Sequence, residues 1–135
     1  WNIEKRLLQI NKNLKFNNKI NYYKQIRNAK LNVFDHMHTG YLETLSMNIP
    51  TIIIIPKNIY CFRDSAKPYI EKLKDVKILF ENPIEASNFV DKVYDNIDSW
   101  WLSEDVQKIR EEFCYNYART SEDWVNEWVK EFNEI

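Results

Sequence analysis

The side chains best suited to hold an anionic or hydroxyl-rich ligand lie in one short stretch, DHMHTGYLET, at residues 35–44. Its candidate binding residues are His36, His38, Thr39, Gly40, Glu43 and Thr44. Gly40 is the only glycine in the 135-residue chain, and a glycine lets a ligand approach the backbone closely. Where a helix begins, free N–H groups and a partial positive charge attract an anion. The stretch therefore predicts a ligand site at a turn that leads into a helix.

Glu43 is the carboxylate of this stretch, and its place on the predicted helix decides what it can contact. At roughly 100° per residue, one arc of the helix contains Tyr41, Leu42, Leu45 and Ile49. The opposite arc contains Gly40, Glu43, Thr44 and Met47. Glu43 is therefore predicted to point away from the core, in the first helical turn. Thr39 has no Glu or Gln three residues later, so Glu43 belongs to no capping box. Two roles stay open, contact with a ligand or complementation of the helix dipole.

His36 and His38 flank Met37, so in extended backbone both imidazoles point in the same direction. The chain has no other histidine and no acidic partner placed by spacing, so the sequence predicts no metal site. Two interpretations remain for the pair: hydrogen bonds to a substrate or phosphate at the end of a parallel strand, or a structural role. Arg63, in a later loop, is a candidate for contact with a phosphate or an acceptor. Its alternatives are a surface ion pair with Asp64 and a helix cap.

The elements that must position these residues form a βαβ unit. Residues 31–34 and 51–55 are short apolar runs, typical of strands buried on both faces of a parallel sheet. Residues 40–48 between them have the length of a helix. Similar patterns predict a strand over residues 75–80 and helices over 1–10, 19–28, 68–74, 84–97, 103–118 and 120–132.

The predicted fold class is α/β, a Rossmann-like parallel sheet of three to four strands flanked by helices and followed by a helical C-terminal extension. Residues 1–135 are predicted to form a single domain, with an α/β core over 1–97 and C-terminal helices over 98–135. The last helix has an apolar seam: Trp124, Val125, Trp128, Val129 and Phe132. Such a seam is either core or a surface that covers a partner domain, and we expect Trp124 or Trp128 to be exposed in this chain.

Composition excludes several classes of protein. Hydrophobic residues make up 44% of the chain, which excludes wholesale disorder, and the net charge of −1 argues against a nucleic-acid partner. Residues 1–34 contain eight Lys or Arg against one acid, whereas residues 98–135 contain ten acids against four bases. The two ends either lie side by side or leave a basic face for an anionic ligand or a membrane surface. Cys61 and Cys114 lack the spacing of metal ligands. The sequence shows no apolar span and no signal peptide, and two free cysteines suit a reducing compartment, so it predicts a cytoplasmic protein.

The motif D-H-x-H-T-G-Y-L-E-T-L-x-x-N-I-P-T-I-I-I-I-P resembles the nucleotide-sugar-binding element in the C-terminal domain of GT-B-type glycosyltransferases. The likeness is greater to transferases encoded with bacterial O-antigen and surface-polysaccharide genes. The later segments RDSAKPYIEKL, WW and QKIREEF fit the C-terminal part of that group, so the resemblance covers about residues 20–130. One departure is the turn, which is richer in glycine in many GT-B proteins than it is here.

The resemblance implies the C-terminal half of a GT-B fold that binds a nucleotide-sugar donor for surface-polysaccharide assembly, at the inner face of the membrane. The Thr39–Gly40 backbone would then hold the donor phosphates and Glu43 the ribose hydroxyls. His36, His38 and Thr44 would line the same pocket. It implies no metal or cofactor beyond the donor. The catalytic base and acceptor site would lie largely on an N-terminal domain, so this chain alone is expected to be inactive.

Two other functions stay open at this stage. A GT-B-shaped sugar-nucleotide epimerase shares the nucleotide pocket, and its product is a free epimerised sugar nucleotide. A non-catalytic Rossmann-like interaction module would use Gly40 and Glu43 for structure only. The sequence specifies neither the sugar, the nucleotide base nor the acceptor.

Overall fold

A parallel β-sheet forms the centre of the computed structural model, which describes residues 2–17 and 19–134. Its strands are β1 (Asn32–Phe34), β2 (Thr51–Ile54) and β3 (Leu79–Phe80), in the order β1-β2-β3. Val33 lies opposite Ile52, and Ile53 lies opposite Leu79. The prediction of an α/β fold with an open parallel sheet is confirmed for the described residues.

Helices connect and cover the strands. In chain order they are α1 (Ile3–Ile10), α2 (Tyr22–Asn28), α3 (Thr39–Ser46), α4 (Lys67–Asp75), α5 (Pro83–Val93), α6 (Ile97–Trp101), α7 (Glu104–Tyr117) and α8 (Trp124–Asn133). A short 3-10 helix, Tyr94–Asn96, separates α5 from α6. Of the predicted first helix, Trp1 lies outside the described residues, as does Asn18 in the segment before α2.

The core has two parts, one on each face of the sheet. Successive residues of a strand point to opposite faces, and β2 follows this alternation. Ile53 and Ile55 belong to the larger cluster, to which α3, α4, α6 and α7 also contribute. Ile52 lies in a smaller cluster with Phe80 and with Ala86 of α5. Helices therefore cover both faces of the sheet at β2, which explains why residues 52–54 are all isoleucine, whereas Val33 of β1 is 53% exposed.

The end of α3 is held by residues far along the chain. Asn48 adopts a left-handed conformation, with φ 55°, and the Ile49 N–H donates to the Thr44 carbonyl at 2.9 Å, the pattern of a Schellman C-cap. The Asn48 side-chain oxygen accepts hydrogen bonds from Trp101 Nε1 at 2.9 Å and from Gln107 Nε2 at 3.1 Å. The asparagine of the N-I-P step thus ends the helix and ties it to α6 and α7.

The third strand is shorter than predicted. Only Leu79 and Phe80 are assigned to β3, whereas the alternation predicted residues 75–80. The preceding residues complete the end of α4: Lys77 has φ 65°, and the Ile78 N–H donates to the Leu73 carbonyl at 2.9 Å. A helix cap and an extended strand require different backbone angles, so the strand begins only after the cap.

The first and last helices contribute little to the core. Neither α1 nor α8 contains a buried residue. Trp124 is 60% exposed and Trp128 is 56% exposed, which confirms the expectation that at least one of them is accessible in this chain. Within residues 2–17 and 19–134, no helix has the length and apolar character needed to cross a membrane.

Candidate functional site

The candidate site lies where the β1–α3 turn (residues 35–38) meets the β2–α4 loop (residues 55–66). Both segments follow the carboxyl ends of parallel strands, the edge at which open α/β sheets bind ligands. The Met37 N–H donates to the Tyr60 hydroxyl at 3.2 Å, so a hydrogen bond joins the two segments directly. The structure thus places the predicted turn at the ligand-binding edge of the sheet.

The two histidines of the turn lie against each other. Their ring centroids are 4.4 Å apart in an edge-to-face arrangement, and His36 Nδ1 lies 2.5 Å from the Asp35 carboxylate. Both side chains are exposed. Across the described residues, no group of three or more His, Cys, Asp or Glu side chains is arranged to hold a metal ion. The pair can donate or accept hydrogen bonds at the mouth of the turn.

The start of α3 has no side-chain cap from the residue that precedes it. His38 is the N-cap residue and makes no side-chain hydrogen bond to the helix. The exposed residue Thr39 then begins α3, one position earlier than predicted. The first N–H groups of a helix have no partner within the helix, so this end can accept an anionic group.

Gly40 has a packing role that the sequence did not reveal. A Cβ atom at residue 40 would lie 2.8 Å from Phe34 Cε1 and 2.8 Å from the Tyr22 hydroxyl, closer than nonbonded atoms approach. Its φ is not positive, so backbone conformation does not require glycine here. The place of the missing Gly40 side chain, where a close ligand approach was predicted, is therefore next to the Phe34 ring and the Tyr22 hydroxyl.

Glu43 and Thr44 differ from their predicted places. Because α3 begins at Thr39, Glu43 lies in the second turn, where the helix-dipole effect has fallen off. It is half-buried, and its charge is, after burial of the phenol, one of the causes that raise the pKa of Tyr22. Thr44 was predicted on the outward arc, which is wrong: it is fully buried, and its hydroxyl donates to the Tyr41 carbonyl at 3.1 Å. The reason is that α3 packs against α7 as well as against the sheet, so its buried arc is wider than one face.

Arg63 lies in the β2–α4 loop and is exposed. Its carbonyl accepts the N–H groups of Ala66 and Lys67, at 2.9 and 3.3 Å, as the loop turns into α4. Asp64, its predicted partner for an ion pair, instead contacts Lys67 at 2.6 Å. No hydrogen bond or ion pair joins the Arg63 side chain to the β1–α3 turn within the part of the chain that the structure describes.

A polar cleft of about 480 Å³ opens beside this loop, at the carboxyl ends of β2 and β3. Lys57, Lys67 and Lys74 line it. Lys74 lies between Glu71 at 2.8 Å and Glu81 at 2.6 Å. Burial opposes the charge on Lys74, but the hydrogen bonds and charges of the two carboxylates outweigh it and raise the pKa of Lys74. The Lys74 ammonium is thus already paired, whereas Lys57 has no ion pair shorter than 4.0 Å within residues 2–17 and 19–134.

Comparison with known proteins assigns the chain to a family. A model of the LIC12162 family transferases matches residues 1–132. The chain belongs to this family. No curated protein and no solved structure matches it significantly. The predicted likeness to a transferase is therefore confirmed at the level of the family.

Sequence reasoning about this LIC12162 family member missed two tyrosines at the site. Tyr60 accepts the hydrogen bond from Met37, and the Tyr22 hydroxyl lies 2.8 Å from the place that a Cβ atom would take on Gly40. In the sequence, Tyr60 is one aromatic residue in a predicted loop, and nothing there indicates a contact with Met37. Tyr22 is 18 positions before Gly40 on a separate helix, and neither composition nor periodicity relates the two.

Proposed function

We propose that the chain binds a nucleotide-sugar donor for glycosyl transfer in the assembly of a bacterial surface polysaccharide. The observation that carries the proposal is the start of α3: it lacks a side-chain cap, lies at the carboxyl edge of β1, and is surrounded by exposed polar residues. Such an end of a helix favours a diphosphate, and nearby hydrogen-bonding side chains suit a sugar or ribose. Membership of a transferase family supports a group-transfer reaction.

Each remaining candidate residue has a role in this proposal. The backbone N–H groups at Thr39 and Gly40 bind the donor phosphates, and Glu43 accepts hydrogen bonds from the ribose hydroxyls. His36 and His38 contact the donor from the mouth of the turn, and Arg63 contacts a phosphate or the acceptor. During transfer, negative charge grows on the departing nucleotide, and fixed N–H donors with a nearby cation stabilise it. Thr44 has no role because it is buried.

We propose further that the reaction needs a second, N-terminal domain on the cytoplasmic side of the membrane. The exposed apolar seam of α8 supports this part of the proposal, since monomeric proteins rarely expose a large apolar patch without a use for it. The catalytic base and the acceptor site would then lie mainly on that domain.

Isothermal titration of the full-length protein with uridine, guanosine, thymidine and cytidine diphospho-sugars tests the proposal. At least one should bind, and Glu43→Gln should weaken its binding by about 1–3 kcal/mol, the scale of a hydrogen bond to a charged group. Glu85→Gln, which removes a first-turn carboxylate on α5, is the matched control and should bind as the wild type.

Failure of every nucleotide sugar to bind, or wild-type affinity in Glu43→Gln, would contradict the proposed site. Product analysis with the donor that binds then separates two reactions. A glycosylated acceptor supports glycosyl transfer, whereas a free epimerised sugar nucleotide would identify an epimerase.

A further inference from the structure

The polar cleft beside the β2–α4 loop also has an aromatic wall. Tyr60 and Phe62 both line it, and their rings are stacked, with centroids 6.3 Å apart and planes 23° apart. Tyr60 is 36% exposed, so part of this aromatic surface is accessible to a ligand. Stacked rings offer a flat apolar surface, which suits the face of a sugar ring that carries mainly C–H groups.

Two carboxylates supply fixed hydrogen-bond acceptors in the same cleft. Lys74 contacts Glu71 at 2.8 Å and Glu81 at 2.6 Å, and all three side chains line the cleft. The hydrogen bond from Lys74 lowers the pKa of Glu81, so this group is ionised at neutral pH and only accepts. A carboxylate has about four lone-pair sites, so one lysine contact leaves others open for ligand hydroxyls. Because the ion pairs already hold the carboxylates, binding costs them little rotamer freedom.

Asn58 adds a side-chain amide, which can both donate and accept hydrogen bonds. A β-turn places it: the Ile59 N–H donates to the Pro56 carbonyl at 3.3 Å, and Asn58 adopts a left-handed conformation with φ 68°. The cleft thus combines an apolar face, acceptors and a donor. Its volume of about 480 Å³ is in the range of small-molecule sites.

The charges of the cleft favour a neutral ligand over an anion. Lys67 is paired with a carboxylate at 2.6 Å, and Lys74 is paired with two. A phosphate in the cleft would therefore meet lysines that are largely neutralised, and it would lie near the negative charges of Glu71 and Glu81. A hydroxyl-rich neutral molecule meets no such repulsion and can donate to both carboxylates.

The cleft adjoins the candidate donor site without sharing its proposed binding residues. The Tyr60 ring lines the cleft, while the Tyr60 hydroxyl accepts the Met37 N–H of the β1–α3 turn at 3.2 Å. One side chain therefore contacts both places. Glycosyl transfer requires an acceptor hydroxyl next to the bound donor, and a pocket that adjoins the donor site meets this requirement.

We propose that the polar cleft binds a neutral sugar ring and that this ring belongs to the acceptor; the assignment to the acceptor rests on the proposed function. The ring stacks on Tyr60 and Phe62, and its hydroxyls donate to Glu71 and Glu81. The cleft is then the part of the acceptor site that this chain contributes beside the second domain. The acceptor class is a saccharide with an uncharged terminal ring.

Saturation-transfer difference NMR on the full-length protein tests the sugar site, with the methyl glycosides of glucose, galactose, mannose, rhamnose and N-acetylglucosamine as probes. At least one should bind, and sodium phosphate at equal concentration should not displace it. Glu71→Gln should weaken its binding about tenfold, as expected for a hydrogen bond to a charged group. Tyr60→Leu should also weaken it, because the aromatic wall is lost. Asp75→Asn, at an exposed carboxylate on the same helix, is the matched control and should bind as the wild type.

A second arm separates an acceptor sugar from the sugar of the donor. The nucleotide sugar that the wild type binds is added to saturation, and the signals of the bound glycoside should persist because the two ligands occupy adjoining sites. Displacement of the glycoside would show that the cleft holds the donor's own sugar, which would overturn the assignment to the acceptor.

Other results would overturn the sugar site itself. These are the absence of binding by every glycoside, wild-type affinity in Glu71→Gln, or displacement by phosphate. If a nucleotide sugar still binds in a Glu43-dependent way, such a result leaves the proposed function standing. Conversely, a glycoside that binds through Glu71 in a protein that binds no nucleotide sugar would support the cleft and contradict the proposed function.

Discussion

Tyr41 is an ionisable residue in the core, and its environment predicts how stability depends on pH. Burial, and then the charge of Tyr60, raise the pKa of Tyr41 to about 12 from the ordinary 10.0. The folded state holds this proton more tightly than the unfolded state does. The contribution to stability is therefore complete below pH 10.0 and is lost as the pH rises towards about 12.

Tyr41→Phe should remove this part of the alkaline loss of stability. The measurement is the melting temperature at a series of pH values from about 9 to 12, for the wild type and the variant. Tyr115→Phe is the control, because Tyr115 is exposed and its loss should leave the wild-type profile unchanged. Parallel profiles for the wild type and Tyr41→Phe would show that burial of this phenol does not govern the alkaline transition.

The candidate residues show what sequence can predict at this scale. The helical arrangement of residues 40–48 correctly placed Tyr41 and Leu45 in the core. The apolar period of a helix reflects the face that packs on the sheet. It misplaced Thr44, because the second buried face of α3 is covered by α7, which starts about 60 residues later. A small polar residue that bonds its own helix backbone leaves no trace in an apolar period.

Arg110 links two helices and is the basis of a prediction about stability. This buried guanidinium donates from Nη1 to the Leu45 carbonyl near the end of α3 at 3.1 Å, and from Nε to Gln107 at 3.2 Å. A cation at this end also suits the helix dipole. Removal of the charge leaves the Leu45 carbonyl with the Asn48 N–H at 3.1 Å but without this charged donor.

Arg110→Met, which keeps much of the side-chain volume, should lower the free energy of unfolding by about 2–3 kcal/mol. Urea denaturation measures the change. Lys108→Met replaces an exposed base on the same helix and should stay within about 0.5 kcal/mol of the wild type. Equal or greater stability in Arg110→Met would show that desolvation of the guanidinium outweighs its hydrogen bonds.

The elements differ in how much the sequence revealed of each. The strands β1 and β2 were predicted from their mainly apolar runs, and the reason, burial on both faces, holds for β2 but not for β1, where Val33 is 53% exposed. The strand β3 was also predicted, but its start was placed too early, since Lys77 adopts a left-handed conformation that is rare for lysine and gives no signal in the pattern. The segments WW and QKIREEF suggested a family, and in the structure they also have a local role. Their residues Trp101, Gln107 and Arg110 hold the end of α3.

At the scale of the whole molecule, α8 is a helix with no buried residue. Its seam residues Trp124, Val125, Trp128, Val129 and Phe132 are all more than half exposed. Trp128 and Phe132 stack on each other with ring centroids 5.4 Å apart, but they remain at the surface. The sequence predicted the seam and its exposure, but it could not identify what covers the seam, because an apolar stripe is the same for any partner.

Trp128→Ala should therefore have different consequences in two settings. In the isolated chain its effect on the free energy of unfolding should be within about 0.5 kcal/mol, as for a surface substitution. In a longer protein with the proposed second domain, the loss should reach about 3 kcal/mol if that domain covers the seam. Trp101→Ala, at a fully buried tryptophan, should destabilise both proteins. A full-length protein insensitive to Trp128→Ala would exclude this face as a domain contact.

The crowding around Gly40 also restricts how the family can diverge. Tyr22 and Phe34 come from different segments, and each lies 2.8 Å from the place of a Cβ atom at residue 40. A single mutation from glycine therefore has to displace both the Phe34 ring and the end of the Tyr22 side chain. Relatives that carry a side chain at this position should differ at positions 22 and 34 as well. The three positions are thus expected to co-vary in evolution as one epistatic unit.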